Sequence, residues 1–231
     1  MKVAICIPRY GDVKGAFAIS LARLVAHSLA GRPELEIEIF SISSSDLPQS
    51  RTDLLKDAIR WQARYLLWLD SDHVFPPDAL LRLLEHELAV VGCNYPRRSA
   101  PTGPVAARVD GDGAWQHVWT TAALAEAGAV EEVAHVGLGL CLMDMNLLHQ
   151  VKAHVEAGVG WEHWAPFDRK LLPGTNARMG EDASFFEELR AAGVRIHVDH
   201  GLSWQVGHVH EQVLTNADAE AQKEAWLHRK T

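Results

Sequence analysis

Two carboxylates, Asp70 and Asp72, close the apolar run ARYLLWLD, and His73 and the prolines Pro76 and Pro77 follow them. Side chains alternate along a strand, so residues two apart on a continuing strand share a face. Two like charges held close repel one another unless a proton or a cation sits between them. A divalent ion resolves that repulsion, and oxygen ligands suit Mg²⁺ or Mn²⁺. The competing arrangement has one aspartate capping the helix after Pro76 and the other facing water.

The elements that must position this pair follow from hydrophobic periodicity. Residues 3–8 form a strand with no polar face, 14–30 a helix ending near Gly31, 35–42 an alternating strand, 51–63 a helix and 63–70 the strand that ends at the carboxylates. A helix at 78–88 and a strand at 89–95 complete a β-loop-α recurrence, which predicts an α/β fold with a mostly parallel sheet flanked by helices. Right-handed crossovers gather the strand C-terminal ends on one edge, so the loops after Pro8, Ile42, Leu69 and Asn94 are expected to meet at one rim, where open α/β sheets bind ligands.

The second half is less regular. Residues 96–113 are rich in Pro, Gly and Arg and predict a long loop, 114–119 and the apolar part of 134–151 read as strands, and the latter runs into a helix near 145–155. A loop with Trp161, Trp164 and Phe167 precedes a helix at about 182–192 that stops at Gly193; a strand at 194–200 and a polar tail helix at 216–231 finish the chain. The expected organisation is a single domain over 1–231, with a nucleotide-binding half at 1–95, a smaller acceptor-side subregion at 96–215 and a C-terminal helix at 216–231.

Bulk properties narrow the function. The chain has 231 residues, 48% hydrophobic and 23% charged, with a formal charge of −8, which argues against a nucleic-acid groove because such grooves concentrate Lys and Arg. No stretch approaches the roughly 18 apolar residues of a membrane span. Cys6, Cys93 and Cys141 lie in apolar runs without CxxC spacing, which predicts buried, reduced thiols in a cytoplasmic protein.

The segment ARYLLWLDSDHVFPPDALLRLLEH resembles the metal-site segment of nucleotide-sugar-dependent glycosyltransferases of the GT-A fold, a Rossmann-like architecture, and in particular the family 2 group with its bacterial and phage relatives. The resemblance covers roughly residues 3–210. It implies that Asp70, Ser71 and Asp72 face the donor diphosphate, with Asp70 and Asp72 holding Mn²⁺ or Mg²⁺. VAICIPRYGD is similar to the first strand of that family, so Pro8, Arg9, Tyr10 and Gly11 are implied to line base and ribose. SRTDLLKDAI is similar to a segment with an Arg-Asn pair; Arg51 fits it and Thr52 departs. HVGLGLCLMDMNLL resembles the acceptor-side strand, with Gly137 and Gly139 letting backbone approach the donor sugar. GEDASFFEELRAAG resembles the acidic motif before a helix, which places Glu181 and Asp182 near the acceptor, and HVDHGLSWQVGHVH resembles the closing segment in which His208 supplies a further metal ligand; His73, His200 and His210 are its rivals.

The chemistry implied is transfer of a sugar from a nucleoside-diphosphate sugar to a hydroxyl of a small-molecule, glycan or lipid-linked acceptor. A cation neutralises charge growing on the leaving diphosphate. In an inverting enzyme Asp182 acts as base, with Glu181 beside it; a retaining enzyme does not need that base, and the stereochemical course stays open, as does assembly into a homo-oligomer. Either acidic residue can instead cap its helix. Arg97 and Arg98 either meet an anion or form a solvated pair, and the three loop aromatics either stack on a sugar or seal the core. Alternatives are a nucleotidyltransferase, for which Lys14 lacks the expected glycine-rich setting, and a non-catalytic carbohydrate-binding protein of the same fold.

Overall fold

A computed structural model of the protein describes residues 1–99, 101–158, 160–171, 176, 178–209 and 213–228. The elements in chain order are β1 (Lys2–Arg9), α1 (Gly15–Gly31), β2 (Glu36–Ser43), α2 (Leu47–Arg60), β3 (Tyr65–Leu69), β4 (His73–Val74), α3 (Ala79–Glu85), β5 (Val90–Gly92), β6 (Ala107–Val109) and β7 (Trp115–His117). They continue as α4 (Ala122–Glu126), β8 (Val130–Val133), β9 (Leu140–Asp144), α5 (Leu148–Gly158), α6 (Glu181–Ala191), β10 (Ile196–Asp199), α7 (His200–Ser203), β11 (Gly207–Val209), β12 (Val213–Leu214), α8 (Asn216–Ala221) and α9 (Lys223–Leu227).

Strand alternation makes the layers. Val3, Ile5 and Ile7 of β1 enter one core with Phe17 and Leu24 of α1 and Leu80 and Leu83 of α3. Ala4 and Cys6 enter the opposite core with Leu54, Leu55 and Ala58 of α2, Val151 and Val155 of α5 and Phe185 of α6. The same parity holds in β3, where Leu67 and Leu69 face α1 and α3 while Leu66 and Trp68 face α2. A strand buried on both faces therefore has no polar position, which is why β1 and β3 read as continuous apolar runs. Each large side chain so buried contributes roughly 1.5–3 kcal/mol relative to exposure.

The seven-stranded sheet has the order β2-β1-β3-β9-β5-β10-β8. Strands β2, β1 and β3 run parallel, β9 is inserted antiparallel between β3 and β5, β10 is parallel to β5, and β8 is antiparallel at the edge. One sheet thus takes strands from both halves of the sequence. A small sheet, β12-β11-β4, sits at the end of β3, and β6 pairs with β7.

Some local expectations change. Helix α2 begins at Leu47, because Asp46 accepts a bond from the Gln49 amide and Pro48 sits in the first turn. The tail forms two short helices, and a Thr215–Asp218 capping box starts the first. Strand β8 and helix α4 lie in a stretch whose acidic and small residues hid any periodicity. Cys6, Cys93 and Cys141 are buried and unpaired, and among the described residues no helix is long and apolar enough to cross a membrane.

Candidate metal centre

Parity and a turn decide where the two aspartates go. Asp70 follows Leu69 on the face already set by Leu66 and Trp68, so it meets α2 and accepts from the Arg51 guanidinium at 3.0 Å. The strand then ends, and Asp72 is carried out of register by a turn in which the His73 amide bonds the Asp70 carbonyl. Strand β4 pairs antiparallel with β11, setting His73 opposite His208, and the Val209 amide donates to the Asp72 carbonyl at 2.7 Å. The two imidazoles stack with centroids 4.2 Å apart at 21°.

Asp72, His73 and His208 each offer one ligand atom, and the three atoms lie within 4.8 Å of one another. His73 Nδ1 is 3.2 Å and His208 Nε2 3.5 Å from the Asp72 carboxylate, whose other oxygen meets Arg98 at 2.7 Å. The His208 Nδ1 lies 2.9 Å from the Pro96 carbonyl and carries the proton it donates there, so Nε2 is the ring atom turned toward Asp72 and the one a metal would use. His73 Nε2 is buried without a hydrogen-bond partner, and Nδ1, although 3.2 Å from Asp72, does not meet it in hydrogen-bond geometry. Unpaired buried polar atoms are costly, and a cation accepting one of them removes that cost. The donor set of one carboxylate and two imidazoles fits a divalent transition ion such as Mn²⁺ or Zn²⁺ better than Mg²⁺.

Electrostatics agree with the geometry. Burial alone raises the Asp72 carboxyl, but the His208 and His73 imidazoles outweigh it and hold the group well below the usual carboxylate range. Burial depresses His73 more than Asp72 raises it, and His208 lowers it further, so its ring is neutral near pH 7 and able to ligate. The Asp72 charge is then balanced by Arg98 and by imidazole dipoles.

The loops after β1, β2, β3 and β5 meet, as the topology requires, in a cleft of about 640 Å³ that Pro8, Arg9, Tyr10, Lys14, Asp70, Ser71, Asp72, Tyr95, Arg98 and His208 line. Tyr10 is 82% exposed at its mouth. Gly11 takes φ of 73°, which lets the chain turn back from β1. The glycines of the β9 approach serve close packing: a Cβ on Gly139 would strike His73 and Tyr95, and one on Gly137 would strike the Tyr95 hydroxyl. That hydroxyl accepts from the Gly139 amide at 2.9 Å, so Tyr95 forms a rigid wall against which His73 packs edge-on at 4.2 Å.

Asp182 lies on the arginine-bridged side. Its Oδ1 is 3.6 Å from Arg51 Nε, and its Oδ2 accepts from the Leu138 amide at 3.1 Å. Arg51 is 1% exposed and lies 5.6 Å from the Trp68 ring centroid. Burial pushes the Asp182 carboxyl up to about 6; Arg51 opposes this, Glu181 and Asp70 add to it, and the Leu138 amide opposes it weakly. Neither Glu181 nor Asp182 caps α6, whose N-cap is Gly180; both lie in its first turn, where the helix dipole favours negative charge. Glu181 meets Arg169 at 3.5 Å. With Gly137, Arg97 and His135 the pair lines a second hollow of about 340 Å³.

The remaining rivals separate cleanly. His200 is fully buried between Thr120 and Glu131, away from the trio, and His210 lies outside the described residues. Phe167 is a core residue packed on Trp68 and Phe185, whereas Trp161 and Trp164 stack on one another and line a separate groove beside α2. His73 is the trio's addition to the sequence expectation. Its cue in the sequence was its place directly after Asp72, which made it one of the rival ligands.

No family model and no curated protein matches the chain. Among solved structures it is similar to the crystal structure of A197 from STIV, with 18% identity over 94% of this chain and 92% of that one and a TM-score of 0.55. A likeness at that identity shows a shared fold: a mixed, mostly parallel central sheet flanked by helices, consistent with the Rossmann-like GT-A architecture. The fold is GT-A-like. That sheet carries a His/Asp cluster able to hold a metal ion at the rim where its strand ends converge.

Proposed function

We propose that the protein is a metal-dependent glycosyltransferase that moves a sugar from a nucleoside-diphosphate sugar to a hydroxyl acceptor. The observation that carries this reading is the Asp72–His73–His208 trio at the rim of the cleft where the strand ends converge. A divalent cation bound there supplies charge neutralisation for the departing diphosphate.

The side chains of the cleft supply the rest. Arg9, Lys14 and Arg98 bring positive charge to the lining, which matches a diphosphate although the whole chain is acidic. Arg98 is 46% exposed and is free to exchange its Asp72 partner for phosphate oxygen. Exposed Tyr10 offers a face for stacking on the base, beside Pro8 and Gly11. Asp70, neutralised by Arg51, and Ser71 form the floor. Asp182 is the base that takes the acceptor proton: its raised pKa keeps it a competent proton acceptor near neutrality, and its Oδ1, which makes no hydrogen bond, is the receiving atom. Glu181 tunes it by like-charge repulsion.

A thermal-shift screen of UDP-, GDP-, ADP- and dTDP-linked sugars, each with and without Mn²⁺, tests the proposal. One donor should raise the melting temperature only with metal and should release nucleoside diphosphate on incubation. Equal, metal-independent shifts for every nucleotide, or an Asp72→Ala variant that behaves as the parent, would count against it.

A further inference from the structure

His208 can ligate through Nε2 only while Nδ1 keeps its proton, and the Pro96 carbonyl is the group that holds it there. Pro96 belongs to a closed loop. It bridges Pro104, the Arg97 amide donates to the Gly103 carbonyl at 2.8 Å, and the Thr102 hydroxyl donates to the Arg97 carbonyl at 2.6 Å. The same loop carries Arg98, which meets Asp72. Both of these contacts to the metal trio therefore depend on where this loop sits.

What fixes the loop is the end of the chain. Asn216, at the start of α8, donates through Nδ2 to the Asn94 carbonyl at 2.9 Å, two residues before Pro96. At the far side Gln222 Oε1 accepts from the Thr102 amide at 3.1 Å. Trp226 of α9 is 5% exposed, and its indole lies so close over Gly103 that a Cβ there would come within 2.2 Å of the ring atoms. Among its other contacts are edge-on packings on His117 at 4.3 Å and Trp119 at 5.8 Å. A tryptophan on a five-residue helix, seated in a slot that only glycine can make, is more than a polar tail needs for solubility.

We infer that Trp226 is a positioning residue for the metal centre, acting through Gly103 and the Pro96 loop to hold His208 in its ligating tautomer and Arg98 on Asp72. The inference rests on the trio being a metal site. Removing the indole takes away the apolar contact over Gly103 and leaves the loop to its hydrogen bonds and the Arg98–Asp72 ion pair, so the Pro96 acceptor of His208 Nδ1 is held less firmly. Partners of this kind behind a metal ligand typically carry 10–100-fold in affinity.

The test uses the full chain, a Mn²⁺ titration followed by electron paramagnetic resonance, and ¹⁵N chemical shifts of the His208 ring without metal. Trp226→Ala and Gly103→Ala, which attack one contact from its two sides, should each weaken Mn²⁺ binding about tenfold or more. They should also shift the His208 ring from the Nδ1–H form toward a tautomer mixture, and Trp226→Phe should restore most of both. Parent-like Mn²⁺ affinity and parent-like His208 shifts in Trp226→Ala, with only a lower melting temperature, would overturn the inference by reducing Trp226 to a tail anchor. Should Trp226→Ala not fold, Gln222→Ala, which removes one half-exposed hydrogen bond of the same clamp, is expected to move both readouts in the same direction by less. A parent that binds no Mn²⁺ sinks the metal reading, and the His208 shifts then decide the positioning role alone.

Discussion

Asp70 and Asp72 are the same residue type two positions apart, yet they live in opposite environments. Asp70 is compensated permanently by Arg51, a guanidinium 1% exposed and shared with Asp182. Asp72 is compensated by a neutral buried imidazole, by His208 and by the half-exposed Arg98, all of which can trade the carboxylate for another partner. The strand end between them makes the difference: side-chain parity ties Asp70 to α2, and the turn hands Asp72 to the small β4–β11 sheet. One side is a fixed charge network, and the other is a site with exchangeable charge.

The largest effect should come from breaking the fixed side. Arg51→Met leaves Asp70 and Asp182 facing each other uncompensated, and loss of one partner of a buried ion pair costs roughly 3–5 kcal/mol; urea unfolding should show a loss near the lower figure, since both carboxylates keep about a quarter of their exposure. A variant as stable as the parent would erase the contrast between the two sides. On the exchangeable side, Asp72→Ala should lower metal-free stability by less than Arg51→Met does, since its lowered pKa marks a net favourable carboxylate, and should abolish the Mn²⁺-induced gain, which for the parent at a hundred times Kd amounts to about 2.7 kcal/mol.

Gly139→Ala should strike both sides through their shared wall. The added methyl meets His73 and Tyr95, and overpacking of this kind costs about 1–3 kcal/mol, so calorimetry should find a lower melting temperature together with weaker Mn²⁺ binding. The subtlest readout is pH. Asp182 has a folded pKa of about 6, above the 3.8 ordinary for an aspartate, so the folded state binds more protons between these values and its stability falls as pH rises from about 4 through about 6. Asp182→Asn should flatten that slope in metal-free denaturation curves. Transfer activity, which needs the ionised base, should rise over the same interval and level off above it; activity that stays constant from pH 5 to 8 would remove Asp182 from the base role.

Much of this was legible because it is local. The two-faced burial of β1 and β3 appears as unbroken apolar runs, and the recurrence of strand and helix implies that their C-terminal loops meet, which is how Pro8, Tyr10, Asp70 and Asp72 come to share one cleft. The insertion of β9 against its neighbours was not legible, since an apolar strand carries no mark of direction. Nor was the pairing of β4 with β11: two- and three-residue strands leave almost no periodic signal, and their register alone puts His73 against His208. Arg51 was expected at the site only through its match to an Arg-containing segment, and the face that α2 turns to Trp68 shows that it joins Asp70 to Asp182.

The amino-acid sequence by itself determined the layered α/β architecture and the delivery of carboxylates to the sheet rim, because burial period and strand ends are properties of neighbouring residues. Tertiary structure alone decided which carboxylate is neutralised and which is left available, and which histidine stands beside it. Those outcomes depend on contacts between residues 19 to 136 positions apart along the chain, from Arg51 on Asp70 to His208 on Asp72. Charge compensation acts through space, and no pattern of near neighbours encodes the distance across which it will be made.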